Sequence, residues 1–280
     1  MTTTRGAFIP FLAILGAVTC LGIGTSWAKH TLFPLVGAEG TTAVRVGFSA
    51  LLLLLCRPWR HRLTRADAGT VALYGLALGA MNLCFYLALR TIPFGIAVAI
   101  EFAGPLTVAL LSSRRAIDFL WVALAASGLG LMLPLVPGAG ALDPIGLMYA
   151  VVAAVCWGTY IVFGKRTSHL PSALSVPLGL MVAAMLVVPV GVAQAGSALL
   201  SPYVLVTGIG VALLSSAIPI SLEMVALKRL SPQSFGIMIS LEPVVAALLA
   251  LMLLDEHLSA PQWLAIALII AASMGSARRG

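Results

Sequence analysis

Residues 88–105 read ALRTIPFGIAVAIEFAGP, and residues 226–243 read ALKRLSPQSFGIMISLEP. The two stretches align without a gap, pairing Ala88-Leu89 with Ala226-Leu227 and Pro105 with Pro243. Each carries a glutamate, Glu101 or Glu242, inside an apolar run and close before the shared proline. A second pair, VTCLGIGTSWAKH (18–30) and AVCWGTYIVFGKR (154–166), matches Cys20 to Cys156 and Lys29 to Lys165 at nearly the same offset. Two matches at nearly one spacing divide the chain into related halves, 1–138 and 139–280.

What these halves are made of follows from composition. Of 280 residues, 61% are hydrophobic and 9% charged, whereas soluble domains carry about 25% charged residues. Ten apolar runs follow one another: 8–28, 40–56, 69–89, 92–112, 117–136, 145–163, 174–193, 203–225, 233–253 and 260–277. Most approach or exceed the roughly 18–20 residues that cross a bilayer as helix. The second run is short, and Pro177, Pro189 and Pro219 are expected to break the seventh and eighth. The first run is too long for a signal-peptide core and lacks an A-x-A cleavage site, so it reads as a retained helix. The expected fold is an all-α, polytopic membrane protein of ten helices, with no soluble domain.

Charge placement orients it. With the N-terminus inside, all but Lys29, Arg45 and Arg90 of the 16 cationic side chains fall on the cytoplasmic side. Both termini are then cytoplasmic, and the net charge of +7 reflects membrane topology rather than a nucleic-acid partner. Cys20, Cys56, Cys84 and Cys156 show no CxxC spacing, which argues against a metal site or a disulfide framework.

Five helices per half is an odd number, so the second half enters the membrane with the opposite orientation. Inverted repeats are a transporter architecture, with the site near the midplane where Pro- or Gly-interrupted spans face each other. The fourth and ninth spans meet that description. Proline has no N–H, and its ring clashes with the carbonyl four residues earlier; for Pro105 that is the carbonyl of Glu101. Glu101 and Glu242 both stand tenth in a span of 21, where an acid costs roughly 2.5–3.5 kcal/mol on insertion scales. Pro105 and Pro243 are therefore expected helix breaks beside a polar cavity, and Glu101 and Glu242 its substrate or proton groups. Glu101 is expected to carry a coupling proton, to bind an ammonium group, or to alternate between the two. Either acid also suits a buried hydrogen-bond staple between helices.

Asn82 suits a substrate ligand or interhelical glue, and Tyr86 and Trp157 suit the pocket wall. A substrate carboxylate calls for a cation or a helix N-terminus, and Arg45 and Lys29 are the candidates, though both also suit anchors at helix ends. Glu223 lies near the cytoplasmic end of its span, five residues before Lys228, and reads as a snorkelling or surface-paired acid.

The stretches WAKHTLFPLVGAEGTTAVR (27–45), GIAVAIEFAGPLTVALLSSRR (95–115), SLEMVALKRL (221–230) and IIAASMGS (269–276) resemble the ten-helix branch of the drug/metabolite transporter superfamily. Within it they resemble the bacterial inner-membrane exporters of threonine and homoserine. The resemblance implies a ten-helix basket around a central pocket and proton-driven export of small amino acids by alternating access, with protons and the lipid bilayer as partners. A zwitterion fits paired acidic and cationic groups. The alternatives are the same fold carrying a cationic drug or another metabolite, and a membrane scaffold without transport. No HExxH, GxSxG, Walker or GxGxxG element occurs, so neither an enzyme nor a cofactor is expected. Ala271 and Gly275 permit close helix packing, consistent with a monomer or weak dimer.

Overall fold

Three helices start where a side chain satisfies a free N–H group. Thr64 caps the helix that begins at Arg65, accepting from the Asp67 N–H at 3.2 Å. Asp143 caps the one that begins at Pro144, accepting from the Gly146 N–H at 3.0 Å. Ser231 does the same for the Ser234 N–H at 3.1 Å. Such caps occupy donors that would otherwise be orphaned at a helix start.

A computed structural model of the protein describes residues 3–92, 94–132, 142–245, 248 and 260–277. The helices are α1 (Thr3–Thr31), α2 (Phe33–Leu53), α3 (Arg65–Ala88), α4 (Phe94–Ser112), α5 (Ala116–Met132), α6 (Pro144–Arg166), α7 (Ser172–Ala195), α8 (Pro202–Ala212), α9 (Ile218–Arg229), α10 (Pro232–Met238) and α11 (Ala260–Ala277). No strand occurs among the described residues. Among the described residues, six helical rods are long and apolar enough to cross a membrane, and shorter apolar helices lie at Ile96–Ser112, Ala116–Leu131 and Ala260–Ser276. The chain is an all-helical, multi-pass membrane protein.

Several expectations change in detail. The second run is not short: α2 begins at Phe33, and Gly37 (φ 68°, ψ −173°) kinks its first turns, a backbone conformation that favours glycine. α7 runs through Pro177 and Pro189. α8 and α9 form one rod, joined by a π turn at Leu213–Ala217. Pro219 would clash with the carbonyl of Ser215 in a regular α-helix, and the widened turn accommodates it. Ser49 on α2 donates to the Ala212 carbonyl at the start of that turn, at 2.9 Å. Positions 133–136 of the fifth run, the boundary between 138 and 139, and most of 246–253 lie outside the described residues.

α2 lies along α7, α3 packs on α6 and α7, and α1 packs on α9. α8 packs on α2, α4 on α6 and α10, and α5 on α11. The apolar core between them includes Tyr74, Phe102, Tyr160, Met224 and Phe235. Large apolar side chains such as Leu111, Val155, Met185 and Val206 are exposed on the outside, where lipid is the solvent. Small residues set the closest crossings. A Cβ on Gly104 would stand 2.1 Å from the Ala154 carbonyl oxygen of α6, and one on Gly236 of α10 would stand 2.4 Å from that of Pro105.

Candidate substrate pocket

The close approach of α10 to α4 brings the repeated Glu-Pro segments together. α4 continues through Pro105; the proline removes one donor from the ladder, leaving the Glu101 carbonyl without its i+4 N–H, but does not end the helix. The expected break at Pro105 is therefore a gap in hydrogen bonding. In the second half the interruption is complete. α10 stops at Met238, residues 239–240 form a turn, and helix resumes at 241–245. That turn lies where the Pro243 ring, acting on the carbonyl of Ile239, opposes a continuous helix.

The two glutamates, together with Arg45, Asn82, Tyr86 and Trp157, line one cavity of about 230 Å³. Glu101 is 8% exposed and Arg45 6%, so both charges are withheld from bulk solvent. Arg45, from the middle of α2, is held in a fork. Its Nε donates to Ser216 Oγ of the π turn at 3.1 Å, one Nη donates to Asn82 Oδ1 at 2.7 Å, and the other donates to the Tyr86 hydroxyl. The guanidinium also stands 5.3 Å from the Tyr86 ring centroid, within cation–π range. Asn82 is fixed in turn by its amide, which donates to the Leu78 carbonyl at 2.9 Å. All three partners are neutral, and among the described residues no carboxylate lies within ion-pair distance of Arg45. A buried cation held by neutral groups is set up to receive an anion.

Asn82 and Tyr86 thus orient Arg45. Trp157 packs edge-on against Phe102, ring centroids 4.7 Å apart, and walls the pocket beside Glu101. Lys29, on the last turn of α1, is exposed and does not line the cavity.

The sequence reading of Glu223 is overturned. It neither snorkels nor pairs with Lys228: it is 8% exposed, lines the same cavity and accepts a hydrogen bond from the Tyr160 hydroxyl at 3.0 Å. Lys228 instead donates to the Leu170 carbonyl. Lys165 donates to the carbonyls of Leu227, Lys228 and Leu230 at 3.0, 3.1 and 2.6 Å. Lys165 and Lys228 are thereby engaged with backbone. Pro219, one turn before Glu223, was the available signal, since it marks irregular backbone in the eighth span as Pro105 does in the fourth. Glu39, which the sequence reading did not single out, is buried on α2 and pairs with Arg90 at 2.8 Å.

The chain is 46% identical over 270 residues to the threonine/homoserine exporter RhtA of Salmonella typhimurium strain LT2, covering 96% of this chain and 91% of that one. RhtA of Escherichia coli K12 is 45% identical over the same length and coverage. The EamA-like transporter family model matches residues 144–278. This chain belongs to the EamA-like transporter family. The resemblance to drug/metabolite transporters read from the sequence is thereby borne out. A crystal structure superposes on this EamA-like chain with a TM-score of 0.76, covering 97% of it and 96% of its own chain at 20% identity; that likeness establishes the shared fold alone.

Proposed function

We propose that this EamA-like protein is a secondary exporter of small amino acids, threonine and homoserine foremost, coupled to protons and working by alternating access. The observation that carries the reading is the pocket itself: Arg45, whose hydrogen-bond partners among the described residues are all neutral, shares a buried cavity with Glu101 and Glu242 and lies within their electrostatic reach without an ion pair. An α-amino acid presents a carboxylate and an ammonium on neighbouring carbons. Arg45 receives the first, and the Glu101/Glu242 pair receives the second. The name of the relatives supports the same cargo.

Ten membrane-spanning helices in two inverted halves, with both termini cytoplasmic, form the frame of this proposal. The packing supports it. Exchanging the halves turns the contact of α3 with α6 into that of the α8–α9 rod with α1, and the contact of α3 with α7 into that of α8 with α2. The contacts of α2 with α7, α4 with α10 and α5 with α11 exchange with themselves. Halves exchanged by a pseudo-two-fold axis in the membrane plane allow a second packing with their roles reversed, open to the other side.

Three carboxyls in the pocket also suit a cationic drug, which is the second reading. Size favours the amino acid: about 230 Å³ falls below the roughly 300–1,000 Å³ of drug-sized sites. The test is radiolabelled threonine counterflow into proteoliposomes preloaded with threonine, with homoserine, valine and a quaternary ammonium as competitors. Counterflow that homoserine inhibits and the quaternary ammonium does not is the expected result. Absence of counterflow with either hydroxy amino acid refutes the cargo.

A further inference from the structure

The pocket holds one guanidinium and three carboxyls, Arg45 against Glu101, Glu223 and Glu242. Binding a zwitterion adds one charge of each sign and leaves that imbalance untouched. Buried charges left without partners are strongly disfavoured, so protons must balance the surplus, and the three acids are not equivalent sites for them. Glu101 and Glu242 belong to the paired Glu-Pro segments that α4 and α10 bring together. Glu223 comes from a different helix, α9; it faces Glu242 across the cavity closely enough to repel it, and its one hydrogen bond among the described residues comes from the Tyr160 hydroxyl at 3.0 Å.

α9 packs on α1, α6, α7, α10 and the π turn. α6 presents Tyr160, whose ring stacks on Tyr74 of α3 with centroids 5.2 Å apart. α7, α10 and the π turn carry no ionisable side chain. α1 lines the cavity with Leu21, Gly22, Thr25 and Ser26, none of them ionisable. Across the cavity stand Glu101, Glu242 and Arg45; the Arg45 guanidinium is oriented by Ser216, Asn82 and Tyr86 and makes no ion pair with Glu223 among the described residues. Lys165 and Lys228 are bonded to backbone carbonyls. No cation is thus within ion-pair distance of Glu223 among the described residues, while a phenol that can donate to the carboxylate or accept from the acid is in contact with it.

We propose that Glu223, with Tyr160 as its positioning residue, is the proton-carrying carboxyl of the transport cycle, separate from the Glu101/Glu242 pair that receives the substrate ammonium. The assignment rests on the export function proposed above. Glu223 loads a proton when the pocket faces the acidic side and releases it on the other, while the amino acid moves in the opposite sense.

The experiment uses the full chain in proteoliposomes and reads two quantities: threonine counterflow without a pH gradient, and threonine accumulation driven by a one-unit gradient. For one proton per amino acid, such a gradient sustains about tenfold accumulation in wild type. Glu223→Gln is expected to keep counterflow, to lose the accumulation entirely and to flatten the pH dependence of exchange. Tyr160→Phe is expected to keep accumulation with its pH dependence displaced. Wild-type accumulation by Glu223→Gln overturns the assignment, as does loss of its counterflow in protein that melts like wild type. Should Glu223→Gln fail to insert, Tyr160→Phe decides, because it deletes one hydroxyl and leaves the carboxyl; an unchanged pH dependence overturns the proposal. Absence of counterflow in wild type would instead refute the export function itself.

Discussion

Arg45 offers the sharpest test of the pocket, because its proposed role can be deleted from either partner. Two charge-assisted hydrogen bonds from its guanidinium to a substrate carboxylate, at about 1.5 kcal/mol each, contribute about 3 kcal/mol. Their loss lowers affinity about 150-fold. Arg45→Met should therefore weaken threonine binding by that order. Arg45→Lys keeps the charge but not the planar fork that Asn82, Tyr86 and Ser216 hold in place; retaining one bond of two, it should weaken binding about tenfold. The assay is equilibrium displacement of radiolabelled threonine from purified protein by threonine and by threoninol, which lacks the carboxylate. Wild type should prefer threonine over threoninol by the same large factor that Arg45→Met loses for threonine, and Arg45→Met should bind the two alike. If Arg45→Met melts as wild type does and still prefers threonine, Arg45 does not receive the carboxylate and the reasoning from its neutral partners fails.

Two further predictions address the frame around the pocket. Gly236→Ala places a methyl 2.4 Å from the Pro105 carbonyl oxygen, so α10 must shift off α4; overpacking of this kind costs about 1–3 kcal/mol. The melting temperature in detergent should fall and threonine binding should weaken with it, while an unchanged melt would place the helices further apart than described. Asp143, outside the membrane-spanning helices, accepts from the Thr91 side chain and from the Gly146 N–H, and these bonds hold its carboxyl below the usual range. A lowered folded-state value means that the contribution to stability is present above the ordinary aspartate pKa, about 3.9, and is lost as pH falls through the lowered value. Melting of Asp143→Asn should therefore lie below wild type at pH 6 and converge on it in strong acid. A difference constant from pH 6 downward would refute the linkage.

How much of this was legible in the sequence differs from residue to residue. Glu101 and Glu242 were identifiable because a carboxyl near mid-span beside a proline is anomalous by itself, and both line the cavity. Arg45 and Lys29 were equal candidates for a carboxylate partner, and the sequence had no means to separate them. Arg45 turns inward to groups 37, 41 and 171 residues away, while Lys29 is exposed at a helix end. Glu223 was misassigned because its position along the rod, near a lysine, was read without knowing which way its side chain points. The break expected at Pro105 is a gap in an otherwise continuous helix, whereas its counterpart before Pro243 is a true interruption; the same motif met different packing.

The sequence by itself determined that the chain lives in a bilayer and where most of its apolar helices lie, and it marked Glu101 and Glu242 as anomalous within them. These follow from composition, run length and local hydrogen-bonding chemistry, all properties of neighbouring residues. Which acids share a cavity, what holds Arg45, and that Glu223 faces Tyr160 were decided only by the tertiary structure. In water an amphipathic stripe reveals the buried face of a helix. In lipid both faces of a helix are apolar, so the sequence fixes depth along the axis but not rotation about it, and rotation is set by the helices packed alongside.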